Sequence, residues 1–124
     1  MPNHVHIIWS INEAHELKNL QRDFLKYVAQ QIKFDLLKNH PNVLPFFESN
    51  ANDRQYQFWQ RRPYSSKLYN RNVVEQKLNY IHNNPISKNW NLSSSAENYK
   101  YSSAAFYIGQ NNPFDFLTDY RDVI

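Results

Sequence analysis

The longest periodic stretch of this chain settles one element and limits what the rest can be. Leu17, Leu20, Phe24, Val28, Ile32 and Leu36 recur at spacings of three or four, the repeat of a single apolar stripe along an α-helix. The spacing predicts a helix over residues 16–39. His40-Pro41 stops it, because a proline biases the residue before it away from helical backbone. In a chain of 124 residues such a helix leaves room for one domain at most, covering residues 1–124. Lys18, Arg22 and Lys26 repeat every fourth residue as a basic ridge. A ridge of this kind serves equally as a solvated face or as one that meets phosphates.

Residues 4–10, within Met1-Pro2-Asn3-His4-Val5-His6-Ile7-Ile8-Trp9, read as a strand. Positions i and i+2 of a strand share a face, so His4 and His6 present two imidazoles side by side. That pair suits one metal ion. Val5 and Ile7 then point to the opposite side, toward a core. The plainer alternative is a polar strand face near a chain end. Residues 41–52 read as an irregular loop. Residues 54–61 (Arg-Gln-Tyr-Gln-Phe-Trp-Gln-Arg) alternate and are aromatic, which predicts a second strand. Arg61-Arg62-Pro63-Tyr64 makes a basic, aromatic turn. Rings beside arginines are what single-stranded nucleic acid binding uses, although an ordinary strand end has the same composition.

Asn72 is placed as an N-cap with Glu75 three residues on, a capping-box arrangement that opens a helix over residues 73–84, ended by Pro85. At about 100° per residue, Val74, Leu78 and Ile81 share the core face. Tyr80 and Asn84 are i, i+4 neighbours on another face, flanked by Gln76 and Lys77. This face carries a phenol, an amide oxygen and an ammonium. A phenol ordinarily titrates at about 10 and is a poor nucleophile until activated. A metal can polarise and orient a phosphate for its attack, and Lys77 can favour the phenolate or neutralise phosphate charge. The alternatives are an amphipathic surface tyrosine and, for Asn84, a helix C-cap before proline. Residues 86–95 form a polar loop carrying Trp90. Residues 96–108 form a short helix or turn, and Pro113, Phe114, Phe116 and Leu117 supply a tail that packs back.

Composition closes off other chemistries. A single glycine argues against glycine-rich phosphate loops. The absence of cysteine excludes disulfides, cysteine zinc sites and cysteine nucleophiles, and fits a reducing, cytoplasmic setting. There is no apolar run of about 18 residues for a membrane span and no signal-peptide pattern. A net charge of +3 is compatible with a polyanion partner.

Taken in order, the Met1–Ile8 motif, the long basic helix, Phe58-Trp59-Gln60-Arg61, Tyr80-Ile81-His82-Asn83-Asn84-Pro85 and Tyr101-Ser102-Ser103 resemble the REP-associated tyrosine transposases of the HUH single-strand transposase superfamily. The likeness runs from residue 1 to about residue 107. It implies an α+β, ferredoxin-like βαββαβ fold, truncated at its N-terminal side: His strand, long helix, aromatic strand, tyrosine helix and tail. In that family a strand, a helix and a second strand precede the Met-Pro-Asn-His segment. Without them the His strand has an unpaired edge. Three explanations stand open: a start lying upstream, a decayed fragment, or a homodimer or partner chain that supplies the missing strands.

The resemblance also implies an activity, cleavage and rejoining of single-stranded or hairpin DNA through a 5′-phosphotyrosine bond with Mg²⁺ or Mn²⁺. It makes Tyr80 the nucleophile and His4, His6 and Asn84 the metal ligands. Lys26, Arg61, Arg62 and Lys77 become candidates for DNA contacts. Two other functions remain possible: a nucleic-acid-binding remnant that does not cleave, and an HUH nuclease of the replication or relaxase type.

Overall fold

Regular backbone hydrogen bonding is almost wholly helical in the computed structural model, which describes residues 1–110 and 114–124. Helix α1 spans Leu17–Asn39, α2 spans Arg71–Asn83 and α3 spans Ala104–Tyr107. Single 3-10 turns occur at Leu44–Phe47, Asn84–Ile86 and Tyr120–Asp122. Among the described residues no β-strand forms. β-pairing is limited to one antiparallel bridge between Glu48 and Tyr56. The expected α+β, ferredoxin-like fold is therefore corrected: both segments read as strands lack a ladder.

The physical reasons differ for the two segments. A strand persists only when neighbouring backbone satisfies its N–H and C=O groups, and residues 4–10 take no regular secondary structure. Val5 and Ile7, expected to face a core, are 49% and 43% exposed. In the aromatic segment the alternation of apolar residues does not carry through to burial. Tyr56, Gln57, Phe58 and Trp59 are all half-buried in succession, which a one-sided strand cannot achieve. Its side chains reach sideways instead. Phe58 stacks on Phe47 with centroids 4.9 Å apart, and the Trp59 indole N–H donates to the Leu25 carbonyl at 3.0 Å.

The chain forms two compact units, Ile11–Ser65 and Met1–Ser10 with Ser66–Ile124. In the first, α1 follows the apolar stripe read from sequence. Leu20, Phe24, Val28, Ile32 and Leu36 are half-buried, while Leu17 is 40% exposed. The His40 N–H donates to the Leu36 carbonyl at 2.9 Å and closes the helix where Pro41 ends it. Leu44, inside the loop that follows, is buried.

In the second unit α2 begins two residues earlier than expected. Its N-cap is Asn70, whose Oδ1 accepts from the Val73 N–H at 3.0 Å. Glu75, assigned from sequence to a capping box, instead accepts from Arg71 Nε at 3.0 Å and from the Tyr120 hydroxyl at 2.8 Å. These bonds hold the carboxyl below its ordinary range, with the Tyr120 bond the largest cause. Val74 and Ala104 are buried, and Leu78 and Ile81 half-buried. The tail packs back through Tyr120, whose ring lies 5.7 Å from that of Tyr107. Pro113, expected in that tail, lies outside the described residues. Among the described residues no helix is long and apolar enough to cross a membrane.

Candidate active site

Four of the residues singled out in the sequence converge in the Met1–Ser10 with Ser66–Ile124 unit. The imidazoles of His4 and His6 lie edge to face, centroids 4.9 Å apart, so the i, i+2 spacing pairs them without a strand. The Asn84 amide nitrogen stands 3.1 Å from His6 Nε2 and 3.5 Å from His4 Nε2. The Tyr80 ring meets His6 edge-on at 5.6 Å, and Tyr80 is 59% exposed.

Local structure explains why Asn84 points there. Its backbone remains helical, and its N–H donates to the Tyr80 carbonyl as the C-cap of α2. Pro85 is buried and opens the 3-10 turn that follows, so the last helical turn is clamped rather than frayed. The C-cap role and the approach to the imidazoles are thus both filled by one residue. Four residues before it, Tyr80 is held on the same stripe of α2. Lys77 is exposed one turn earlier on that helix.

Hydrogen bonding suits one tautomer at His4 and at His6. Asn3 Oδ1 lies 2.7 Å from His4 Nδ1 and can only accept. His4 Nδ1 therefore carries the hydrogen and leaves Nε2 with its lone pair. His6 Nε2 likewise faces the donating amide of Asn84. His6 is exposed overall, but His4, Tyr80 and Asn84 crowd its ring. Desolvation, then the charge of His4, then the chain's amino terminus lower its pKa and favour neutral imidazole. The two Nε2 atoms thus converge on one point, the Asn84 amide. Rotating the Asn84 amide by half a turn would bring its oxygen to the same point, giving an N,N,O donor set. Such a set fits a divalent cation. Imidazole nitrogen favours Mn²⁺ over the harder, oxygen-seeking Mg²⁺. Among the described residues no three His, Cys, Asp or Glu side chains group around a metal position, and the side chain next to both imidazole Nε2 atoms is the Asn84 amide.

Two contributors have little or no signature in the sequence reading. Asn3 orients His4, as a partner to a ligating imidazole does; its adjacency in Pro2-Asn3-His4 was the available hint. Trp90 packs against His4 at 5.4 Å. It is delivered by a turn in which Trp90 and Asn91 N–H both donate to the Ser87 carbonyl, with Asn91 at φ 45°. Asparagine tolerates that left-handed backbone. No spacing rule ties Trp90 to residue 4.

The remaining candidates lie in the Ile11–Ser65 unit. Lys26 is exposed on α1. Arg22, in the same ridge, is committed to Asp23 at 2.9 Å and Asn19 at 3.2 Å. Arg61 and Arg62 are exposed, with neither hydrogen bond nor ion pair among the described residues, and Tyr64 beside them is 88% exposed. Comparison with protein-family models, with curated proteins and with solved structures finds no match.

Proposed function

We propose that this chain is a metal-dependent tyrosine nuclease and strand transferase acting on single-stranded or hairpin DNA, with the chemistry of a tyrosine transposase. One observation carries the reading: the Tyr80 ring abuts His6, whose Nε2 shares the Asn84 amide with His4 Nε2. Surface tyrosines are common, but one beside two converging imidazoles is placed as a nucleophile next to a cation site.

His4, His6 and Asn84 would hold Mn²⁺ or Mg²⁺, which supplies Lewis-acid polarisation of a phosphate oxygen. Tyr80 Oη attacks phosphorus and releases its proton to solvent, to which the exposed ring is open. The Oη–P bond forms as the P–O3′ bond breaks. The leaving 3′ oxygen takes up a proton, giving a 5′-phosphotyrosine and a free 3′-hydroxyl. Rejoining runs the same steps backward. Lys77 neutralises phosphate charge beside the helix, and Lys26, Arg61 and Arg62 contact the DNA backbone. A second copy or a partner covering the exposed Val5 and Ile7 belongs to the same reading, as does a cytoplasmic setting.

Incubation with a labelled single-stranded hairpin oligonucleotide and Mn²⁺ tests it. The expected result is a covalent protein–DNA adduct that is lost in Tyr80→Phe. Binding without an adduct, at any metal concentration, would support a non-cleaving nucleic-acid-binding protein instead.

A further inference from the structure

The Ile11–Ser65 unit contains a cleft that the tyrosine site does not use. It has a volume of about 380 Å³, with Phe46, Phe47 and Phe58 on its walls and Glu48, Asn50 and Gln60 among its polar groups. Phe46 is 86% exposed, yet its backbone is tightly held. Leu44 is buried at the start of the turn, and Pro45 fixes one dihedral. The Phe46 N–H donates to the Val43 carbonyl at 3.1 Å, and the Glu48 N–H to the Pro45 carbonyl at 3.2 Å. Phe47, next in sequence, is locked against Phe58. With its backbone already ordered, an apolar ring kept in water gains when a flat surface covers it, at the cost of side-chain freedom alone.

The polar groups suit the edge of such a flat partner. Among the described residues the side chains of Glu48, Asn50 and Gln60 make no hydrogen bond or ion pair. Gln57 spends its Nε2 on the Trp59 carbonyl at 3.2 Å, which leaves its Oε1 to accept. Donors and acceptors beside a stacking ring are what an unstacked nucleobase requires. Glu48 accepts only, so it selects a base edge that offers an amino group, as carboxylates do with cytosine N4. Arg61 and Arg62 follow Gln60 directly and are exposed, and the Asp53 carboxylate feels the charge of Arg61. Their charge complements the phosphates of a strand, which a free base or a neutral aromatic ligand would not offer.

We propose that this cleft receives one unstacked, amino-bearing nucleobase of a single DNA strand, stacked on Phe46, with neighbouring phosphates meeting Arg61 and Arg62. The proposal rests on the single-stranded DNA reading above and adds its base-recognition element, but it requires no cleavage.

The test uses the full chain carrying Tyr80→Phe, with fluorescein-labelled twelve-nucleotide oligo-dC and oligo-dT followed by anisotropy across a salt series. Phe46→Ala should weaken oligo-dC binding about ten- to hundredfold, the usual loss for one base–aromatic stack. The salt slope should stay unchanged. Phe46→Trp should retain affinity. Arg61→Ala and Arg62→Ala should each lower the slope by roughly one phosphate contact. Glu48→Gln should erase a preference for oligo-dC over oligo-dT. Phe46 is exposed, so its variants should keep the parent circular dichroism. Unchanged oligo-dC affinity in a folded Phe46→Ala protein overturns the proposal. A Tyr80 adduct in the parent chain together with Phe46-independent binding would remove the cleft and leave the nuclease. Phe46-dependent binding with no adduct would do the reverse.

Discussion

Replacing Asn3 by alanine should weaken metal uptake although Asn3 is not itself a ligand. Its Oδ1 accepts from His4 Nδ1 at 2.7 Å and so keeps the His4 Nε2 lone pair directed at the position shared with His6 and Asn84. Without that acceptor His4 is free to rotate and to take the other tautomer, in which Nε2 carries the hydrogen and cannot ligate. Removing the partner that orients a ligating histidine typically costs about 10- to 100-fold in metal affinity. Asn3 is exposed, so water replaces much of the lost bond. The lower end applies, about tenfold, or about 1.4 kcal/mol. Mn²⁺ titration followed by electron paramagnetic resonance of the free ion measures it, with His6→Ala as the comparison in which binding is lost. An Asn3→Ala chain that binds Mn²⁺ as tightly as the parent while His6→Ala does not would refute the orienting role. Equal binding by all three would remove the cation site itself. Because the surroundings of His6 disfavour its protonation, uptake at that nitrogen should persist somewhat below the ordinary imidazole range and fail as pH drops further.

Three further outcomes concern the scaffold. Leu44→Ala should cost about 2–3 kcal/mol in urea unfolding, at the low end for a buried leucine because the residues around it are only partly buried. A cost too small to resolve would mean that Leu44 does not anchor its turn. Asn70→Ala should cost about 1 kcal/mol by removing the N-cap of α2, whereas Asn72→Ala should not; the reverse order would restore the capping box expected from sequence. Burial lowers the pKa of His82, whose ring nitrogen lies 2.9 Å from Ser103 Oγ. The unfolded chain therefore binds this proton more readily. The contribution to stability is complete above the unfolded value of about 6.5 and is lost as pH falls through the lower folded value. A urea midpoint that declines from pH 7 to 5 in the parent, and less so in His82→Gln, is the expected pattern. Identical profiles would show that His82 is not the group responsible.

Periodicity made α1 legible because one stripe of six apolar residues and a terminating proline all say the same thing. The tyrosine helix was legible in extent, but its cap was misplaced by two residues: both Asn70 and Asn72 are competent caps, and only the tail, through Tyr120, shows where Glu75 is used. The strands were misread for a deeper reason. A strand is defined by its partner, and alternation in residues 54–61 records only a suitable composition. There, ring stacking and an indole bond to a helix carbonyl took over. The candidate site fared differently. His4 with His6, and Tyr80 with Asn84, are pairs set by local spacing, and the structure brings the two pairs together although the expected sheet is absent. Trp90 could be identified only from the folded arrangement, since its contact with His4 is one that no repeat encodes, and for Asn3 the sequence offers no more than adjacency to His4.

Of nine tyrosines, Tyr80 is the one proposed as the nucleophile. Peptide mapping by mass spectrometry after reaction with a hairpin oligonucleotide and Mn²⁺, followed by nuclease trimming, identifies the modified residue. A 5′-phosphonucleotide is expected on the peptide containing Tyr80, absent in His6→Ala and in Tyr80→Phe. A nucleotide on Tyr64 or Tyr69, both more exposed than Tyr80, or an adduct formed equally without His6, would contradict it.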